Sequence, residues 1–379
     1  MKPISLISCE KESSSNQPIL GKMKPLTHFH RDILRQPSEL RRTLDLFAGS
    51  LLVPARAAAQ LLRQSRHVFL TGIGASWNAA MAAGALFSQQ ARPVHMLEAG
   101  ELLYFTAIPA DSVVIVLSRT GRSIEIVQLL ARARKAGARV VGITNSPDSP
   151  LAKEATVPIV IPIPLDHAIS VNTYSTLALA AALVSHCDGP DFEQVSASLG
   201  AALAQLHESM RYWSEALAAS DWLAPKASYY FLARGPSQAS AYESRLLWEE
   251  GVKTPATAMN TSGFRHGPQE IVVPGGRFCI WIDAATMRAQ DLAVANDLRT
   301  LGASVALIGQ DLPLDSGHLT LPVPQVAAAW QFAVDVIPMQ IAAEALSRLS
   351  GVDCDSFRVC SFVVEDEHGL LGKRGAPSS

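Results

Sequence analysis

Twice along the chain, an unbroken apolar run ends in a glycine turn bearing a hydroxyl and passes straight into a helical stretch. The first such unit is His67-Val68-Phe69-Leu70-Thr71, then Gly72-Ile73-Gly74-Ala75-Ser76, then an alanine-rich stretch to about Phe87. The second is Tyr229-Tyr230-Phe231-Leu232-Ala233, then Arg234-Gly235-Pro236-Ser237, then a helix through Glu250. Gly74 and Gly235 take the same place in the two units. Continuous apolar runs of this kind mark strands buried on both faces, which arise when helical crossovers cover a parallel sheet from both sides.

Further runs extend each unit. Residues 112–117 lead into Ser118-Arg119-Thr120-Gly121-Arg122-Ser123, and residues 139–143 follow another helical stretch. In the later half, runs at 277–282, 304–308 and 318–321 alternate with helices, and residues 326–349 are expected to form one long closing helix. A chain of 379 residues, 48 % of them hydrophobic, has room for two such domains. The expected fold is therefore α/β, with two tandem doubly wound parallel-sheet domains and flanking helices.

The boundaries follow composition and period. Residues 1–22 are rich in Ser, Glu, Lys and Asn and read as a disordered leader, with Met23 a candidate start. Residues 23–52 form a helical arm in which Gln36-Pro37-Ser38 separates two helices. The first domain takes residues 53–190, a helical linker 191–225, the second domain 226–365 and a tail 366–379.

Several function classes are disfavoured. A formal charge of −2 without any Lys/Arg-rich run gives no footprint for nucleic acid. Apolar stretches such as residues 177–184 fall well short of the roughly 20 residues that span a bilayer, and the N-terminus lacks a signal-like apolar core, so the expected compartment is the cytoplasm. The five cysteines, Cys9, Cys187, Cys279, Cys354 and Cys360, include no Cys-x-x-Cys pair, and no His-Glu-x-x-His stretch occurs. Reduced thiols and no metal or organic cofactor are the expectation.

Both Gly74-Ala75-Ser76 and Ser118-Arg119-Thr120-Gly121-Arg122-Ser123 stand just past a strand's carboxyl end and at a helix start. There, free backbone N–H groups and the positive helix end face outward, and hydroxyls add donors to a phosphate. Ser76, Ser118, Thr120 and Ser123 are the candidate cradle; the alternative for the same residues is plain helix capping. A dinucleotide site is disfavoured because the third glycine of the fingerprint is missing. In the second unit the strand at 278–282 runs into Asp283, so only the first half is expected to hold phosphate. The second half offers Glu243, Glu249 and Glu250, then Gly263-Phe264-Arg265-His266-Gly267-Pro268. A carboxylate that moves a proton between adjacent carbons and a histidine that opens the ring are what an aldose-ketose isomerase needs. The alternatives are a solvated glutamate and a hydrogen-bonded loop histidine.

These motifs, with Ser170-Val171-Asn172-Thr173-Tyr174-Ser175-Thr176, resemble the double sugar-isomerase-domain (SIS) family from about Phe29 to Glu365. That family includes the isomerase half of glucosamine-6-phosphate synthase, amino-sugar phosphate deaminases and fructosamine-phosphate deglycases, with flavodoxin-like domains. The resemblance implies that Gly74, Ala75, Ser76, Ser118, Arg119, Thr120 and Ser123 contact the sugar phosphate, with Arg119 where synthase-like members carry Gln. It implies further that Ser170, Val171, Asn172 and Thr173 contact sugar hydroxyls, that Glu250 shuttles the proton between carbons 1 and 2, and that His266 opens the ring from the neighbouring subunit of a homodimer.

Three departures shape the expectation. Met1 is followed by Lys2 rather than by a catalytic Cys, so glutaminase activity is not expected. The tail segment Asp353-Cys354-Asp355-Ser356-Phe357-Arg358-Val359-Cys360-Ser361 lacks the lysine that forms an imine in synthase-like members, and the only lysine after Lys253 is Lys373. Leu247 stands where those members carry a lysine one turn before the key Glu. The Phe264-Arg265-His266-Gly267-Pro268 motif with the lysine-free tail segment resembles the galactosamine-6-phosphate deaminase branch. Without a glutaminase, the expected reaction converts a 2-amino-2-deoxyhexose 6-phosphate (glucosamine or galactosamine 6-phosphate) to a ketose 6-phosphate with ammonia release. The alternatives are a fructosamine-6-phosphate deglycase and a non-catalytic sugar-phosphate sensor.

Overall fold

The structure is a computed structural model that describes residues 26–370 apart from 314 and 368. The expected leader at 1–22 and the tail beyond residue 370, Lys373 included, lie outside the described residues. Two five-stranded sheets organise the chain. The first holds β1 (His67–Thr71), β2 (His95–Met96), β3 (Ser112–Ser118), β4 (Arg139–Thr144) and β5 (Val157–Val160) in the order β2-β1-β3-β4-β5. The second holds β6 (Tyr229–Ala233), β7 (Ala256–Asn260), β8 (Arg277–Trp281), β9 (Ser304–Gly309) and β10 (Leu319–Pro322) in the order β10-β9-β8-β6-β7. Every pairing is parallel. Counted from its own first strand, each sheet has the same flavodoxin-like order, so the strand sequence reverses direction between β1 and β3 and between β6 and β8.

Alternation along the strands builds three cores. Val68 and Leu70 of β1, with Phe231 and Ala233 of β6, enter one cluster shared by both lobes, whereas Phe69 and Leu232 enter separate outer clusters. Between the sheets, helix Ala75–Gln89 packs on helices Asn172–His186 and Gln238–Leu247. Ala79, Ala80, Ala82 and Ala83 are fully buried there, and their small side chains let the helices approach closely. None of the described helices is long and apolar enough to cross a membrane.

Two expectations about helices are corrected. Residues His28–Ala48 form one helix with Pro37 inside it, not two helices separated there. Phe29, Ile33, Leu40, Leu44 and Phe47 keep one buried stripe through the proline, so packing outweighs the lost hydrogen bond. The single closing helix expected at 326–349 is instead a 3₁₀ turn Ala328–Trp330, a short helix Phe332–Asp335 and a helix Ile337–Leu349. Pro338 has no N–H to continue the ladder, and the Asp335 carbonyl accepts from Trp281 Nε1 at 2.9 Å. Met339 N–H therefore turns to Val336 O at 3.0 Å.

Candidate active site

The carboxyl ends of β1 and β3 are neighbours, because Thr71 pairs with Val116 and β3 runs on to Ser118, opposite Thr144 of β4. After β1 the chain turns at Gly74, whose φ of +56° lies in the left-handed region that favours glycine. Gly72 is required for a different reason: a Cβ there would stand 2.6 Å from the Ser76 backbone carbonyl. This turn carries Ala75 and Ser76 onto the first turn of helix Ala75–Gln89, both buried. After β3, Ser118 Oγ accepts the Gly121 N–H at 3.1 Å and Thr120 Oγ1 accepts the Arg122 N–H at 3.4 Å. Each oxygen thus anchors the loop while its own O–H proton remains available to an anion. Ser123 precedes helix Ile124–Ala136 without making a side-chain cap bond. The structure brings Ser76, Ser118, Thr120 and Ser123 to adjacent strand ends at the first lobe's reversal point.

Arg119 is committed differently. Its Nη1 donates to Ala168 O and to Ser170 Oγ, both at 3.3 Å, and Nη2 donates to Phe362 O at 3.1 Å. Its own carbonyl accepts from Thr144 Oγ1 at 3.1 Å and Ser146 Oγ at 3.0 Å, which ties the loop to β4.

The residues of the expected sugar loop separate. Val171, Asn172 and Thr173 are buried, and their amides donate to the Asp166 carboxylate at 3.0, 3.1 and 2.8 Å. Asn172 Nδ2 also donates to Asp166 and to Asp32 O. Asp166, held in turn by Arg35, therefore fills the amino end of helix Asn172–His186 with an internal anion. Ser170 remains half-buried at the loop's edge.

Glu250 lies in a π-turn, Trp248–Val252, that continues helix Gln238–Leu247. Such turns recur at functional sites because they re-aim side chains. This turn is pressed onto the first lobe: a Cβ on Gly251 would meet Ile169 Cδ1 at 3.0 Å, one residue from Ser170. Burial pushes the Glu250 carboxyl up to about 7, against the opposing pull of Arg119 and Lys253 and with help from Glu249. One helical span earlier, Glu243 is fully buried and accepts from Asn78 Nδ2 at 2.8 Å, while its Oε1 has no hydrogen-bond partner among the described residues. Burial raises its pKa well above the ordinary carboxylate range. Asn78, two residues past Ser76, thereby joins the cradle helix to the Glu250 helix.

His266 lies on an exposed turn after helix Thr261–Phe264, and its ring has no hydrogen bond or ion pair among the described residues. Among the same residues no group of three or more His, Cys, Asp or Glu is placed to hold a metal ion.

Sequence reasoning missed Asp166, Asn78, Lys253 and Phe362. No local pattern distinguishes them; each acquires its place through partners far along the chain, as in the Asn78–Glu243 bond.

In sequence, residues 61–185 match the family model described as the SIS domain. The isomerizing glutamine–fructose-6-phosphate aminotransferase of Aeropyrum pernix is 27 % identical over 300 residues, covering 76 % of this chain and 48 % of that protein. The chain spans about half the length of the curated relatives it matches. In structure, the C-terminal domain of glucosamine-fructose-6-phosphate aminotransferase from Francisella tularensis aligns with a TM-score of 0.79 at 19 % identity, covering 88 % of this chain and 99 % of that one. Glucosamine-6-phosphate deaminase from Thermotoga maritima aligns with a TM-score of 0.71 at 22 % identity, covering 89 % and 99 %. At these identities the structural likeness establishes the fold.

Proposed function

We propose that this chain, an SIS-domain protein, converts a 2-amino-2-deoxyhexose 6-phosphate to the ketose 6-phosphate and releases ammonia. The observation that carries the reading is Glu250, a carboxyl poised at about 7 in a turn packed against Ile169, one residue from Ser170, and within electrostatic reach of Arg119, which lies between Ser118 and Thr120 in sequence. A base works best when its pKa lies near the working pH. The names of the structural neighbours, one an amino-sugar phosphate deaminase, support the substrate class.

In this reading Ser76, Ser118, Thr120 and Ser123 hold the 6-phosphate, which fixes the distance to the reacting carbons. Ring opening exposes the aldehyde at carbon 1. Ionised Glu250 then takes the proton from carbon 2. The C–H electron pair forms the carbon 1–carbon 2 double bond as the carbonyl π pair moves to oxygen 1, which takes a proton from solvent, giving an enolamine. The protonated carboxyl returns the proton to carbon 1 as the nitrogen lone pair forms the carbon 2–nitrogen double bond and an N–H proton passes to solvent, leaving an imine at carbon 2. Water adds there and ammonia departs, so aldosamine phosphate plus water gives ketose phosphate plus ammonia. His266, exposed and without a hydrogen-bond or ion-pair partner among the described residues, is assigned to ring opening in a neighbouring subunit's site, which makes a homodimer the working unit.

The test is to incubate purified protein separately with glucosamine 6-phosphate, galactosamine 6-phosphate and fructoselysine 6-phosphate, measuring ammonia, free lysine and ketose phosphate. Ammonia with ketose phosphate from either amino sugar supports the proposal. Lysine release from the third substrate alone replaces it with a deglycase, and tight binding without turnover replaces it with a sensor.

A further inference from the structure

Two cations flank Glu250, and each is bound to the same stretch of chain. From the first lobe, the Arg119 guanidinium lies 3.9 Å from the centroid of the Phe362 ring while donating to the Phe362 carbonyl at 3.1 Å. From the second lobe, Lys253 Nζ donates to the Glu250 carbonyl and, at 3.0 Å, to the Ser356 carbonyl, and stands 5.8 Å from the Phe357 ring centroid. The arrangement is the same on both sides: a positive charge over an aromatic face, with a hydrogen bond to a carbonyl of the same segment. Lys253 adopts a φ of +58°, uncommon for a residue with a Cβ, so the turn after Glu250 is held in an unusual shape to present it.

The segment itself is fastened at several points. The Asp355 carboxylate accepts the His28 and Phe29 amides, both at 2.8 Å, and Val364 O accepts the Ile124 N–H at 3.0 Å. Tyr104 OH bonds to Glu367. Residues 356–362 therefore run from the second lobe to the first.

We infer that Arg119 and Lys253 are paired positioning residues: together they hold residues 356–362 across the two lobes beside Glu250 and supply the positive charges that face its carboxylate. The catalytic part of this inference rests on the proposed role of Glu250. The electrostatics agree, since Arg119 and Lys253 are the groups that oppose the burial-driven rise of the Glu250 pKa. The other titratable groups in reach are Glu249 and Glu243 on its own helical segment and the Cys360 thiol on the bridging segment; Glu249 disfavours the carboxylate, while burial raises the pKa values of Glu243 and Cys360 and so favours their neutral forms. Asp166 acts on Arg119, and Asp353, Cys354 and Arg358 act on Lys253.

The experiment compares the full-length protein with Arg119→Gln, Lys253→Gln, the double variant, and the charge-keeping Arg119→Lys and Lys253→Arg. Glu250 is titrated by carbon NMR of carboxyl-labelled glutamate, assigned through Glu250→Gln. Segment docking is followed by trypsin cleavage after Arg358 and by hydrogen exchange of the peptide containing Ile124. The expected result is an upward shift of the Glu250 titration by roughly one pH unit in the double variant, less in each single variant, and near wild type in the charge-keeping ones. Cleavage and exchange should accelerate in the same order. Phe362→Ala, which leaves both charges in place, should speed cleavage with little movement of the titration. A folded double variant whose Glu250 titrates as in wild type, or whose segment stays protected, overturns the inference. If wild type turns over no amino-sugar phosphate while Glu250 shifts as stated, the deaminase reading fails and the positioning pair stands. If wild type is active and Glu250 does not shift, the reverse holds.

Discussion

The two lobes share a strand order and a glycine in the left-handed region after the leading strand, Gly74 at +56° and Gly235 at +52°, yet they treat the hydroxyls beside their reversal points, after β3 in the first and after β6 in the second, in opposite ways. In the first lobe, Ser118 and Thr120 accept amides and keep their own protons free, and Ser123 makes no cap bond. In the second, Ser237 and Ser240 donate to the Asp335 carboxylate at 2.6 and 2.5 Å. Arg234 Nε donates to Asp291 Oδ1 at 2.6 Å. The second lobe thus fills its donors with internal anions, where among the described residues the first pairs none of these hydroxyls with a carboxylate. Asp283 was the residue expected to disqualify the second copy, but its carboxylate serves the Met287 amide, and Asp335 and Asp291 occupy the hydroxyls and the guanidinium. One fold accommodates both outcomes because the switch lies in a few side chains and not in the sheet.

Four measurements break or sharpen this contrast. Glu250→Gln carries the largest expected effect, a fall in kcat of roughly 10²–10⁴-fold, with sugar-phosphate affinity by calorimetry nearly unchanged. A fully active variant would remove Glu250 from the chemistry. The next effect is on pH. With the carboxyl at about 7, kcat/KM should climb about tenfold per pH unit below that value and level off above it, because the base must be ionised. An acid limb in the ordinary glutamate range would show that burial does not govern this group.

Within the first lobe, Ser118→Ala and Thr120→Ala should each weaken sugar-phosphate binding by roughly tenfold, the scale of one hydrogen bond to a charged group. Unchanged affinity in both would return these hydroxyls to plain loop anchoring. In the second lobe, Ser237→Ala, at the place Ser76 takes in the first, should leave that affinity alone and instead cost about 1–3 kcal/mol of stability in urea denaturation, because Asp335 loses a buried donor. Burial holds the Asp335 pKa up at about 6 against an unperturbed 3.8. The folded protein therefore keeps this proton longer than the unfolded chain does. Its contribution to stability is full below about pH 4 and is lost as the pH rises through about 6. Removing Ser237, which favours the ionised form, should shift that loss to higher pH.

Legibility in the sequence followed burial. The central strands β1, β3, β4, β6, β8 and β9 are covered on both faces, so each is written as an apolar run, and each was expected within a residue of where it lies. The missed strands β2, β5 and β7 are all edges: two residues long, interrupted by Pro158, or only half-buried. Nothing in their composition demands a sheet. The hydroxyl-rich turns were visible because strand, turn and helix start are contiguous in the chain. The sugar loop was visible as a motif, but its roles were not, since the capture of its amides by Asp166 depends on how the loop folds back.

The amino-acid order by itself determined the repeated α/β unit and the hydroxyls at its first turn, because both depend on periodicity and on neighbours a few residues away. Tertiary structure alone decided what surrounds Glu250 and which anions occupy the second lobe. Those outcomes depend on burial and on partners such as Arg119 and Phe362, separated by 243 residues. A carboxyl's proton affinity is set by the charges and the solvent around it, and only the packed chain specifies those.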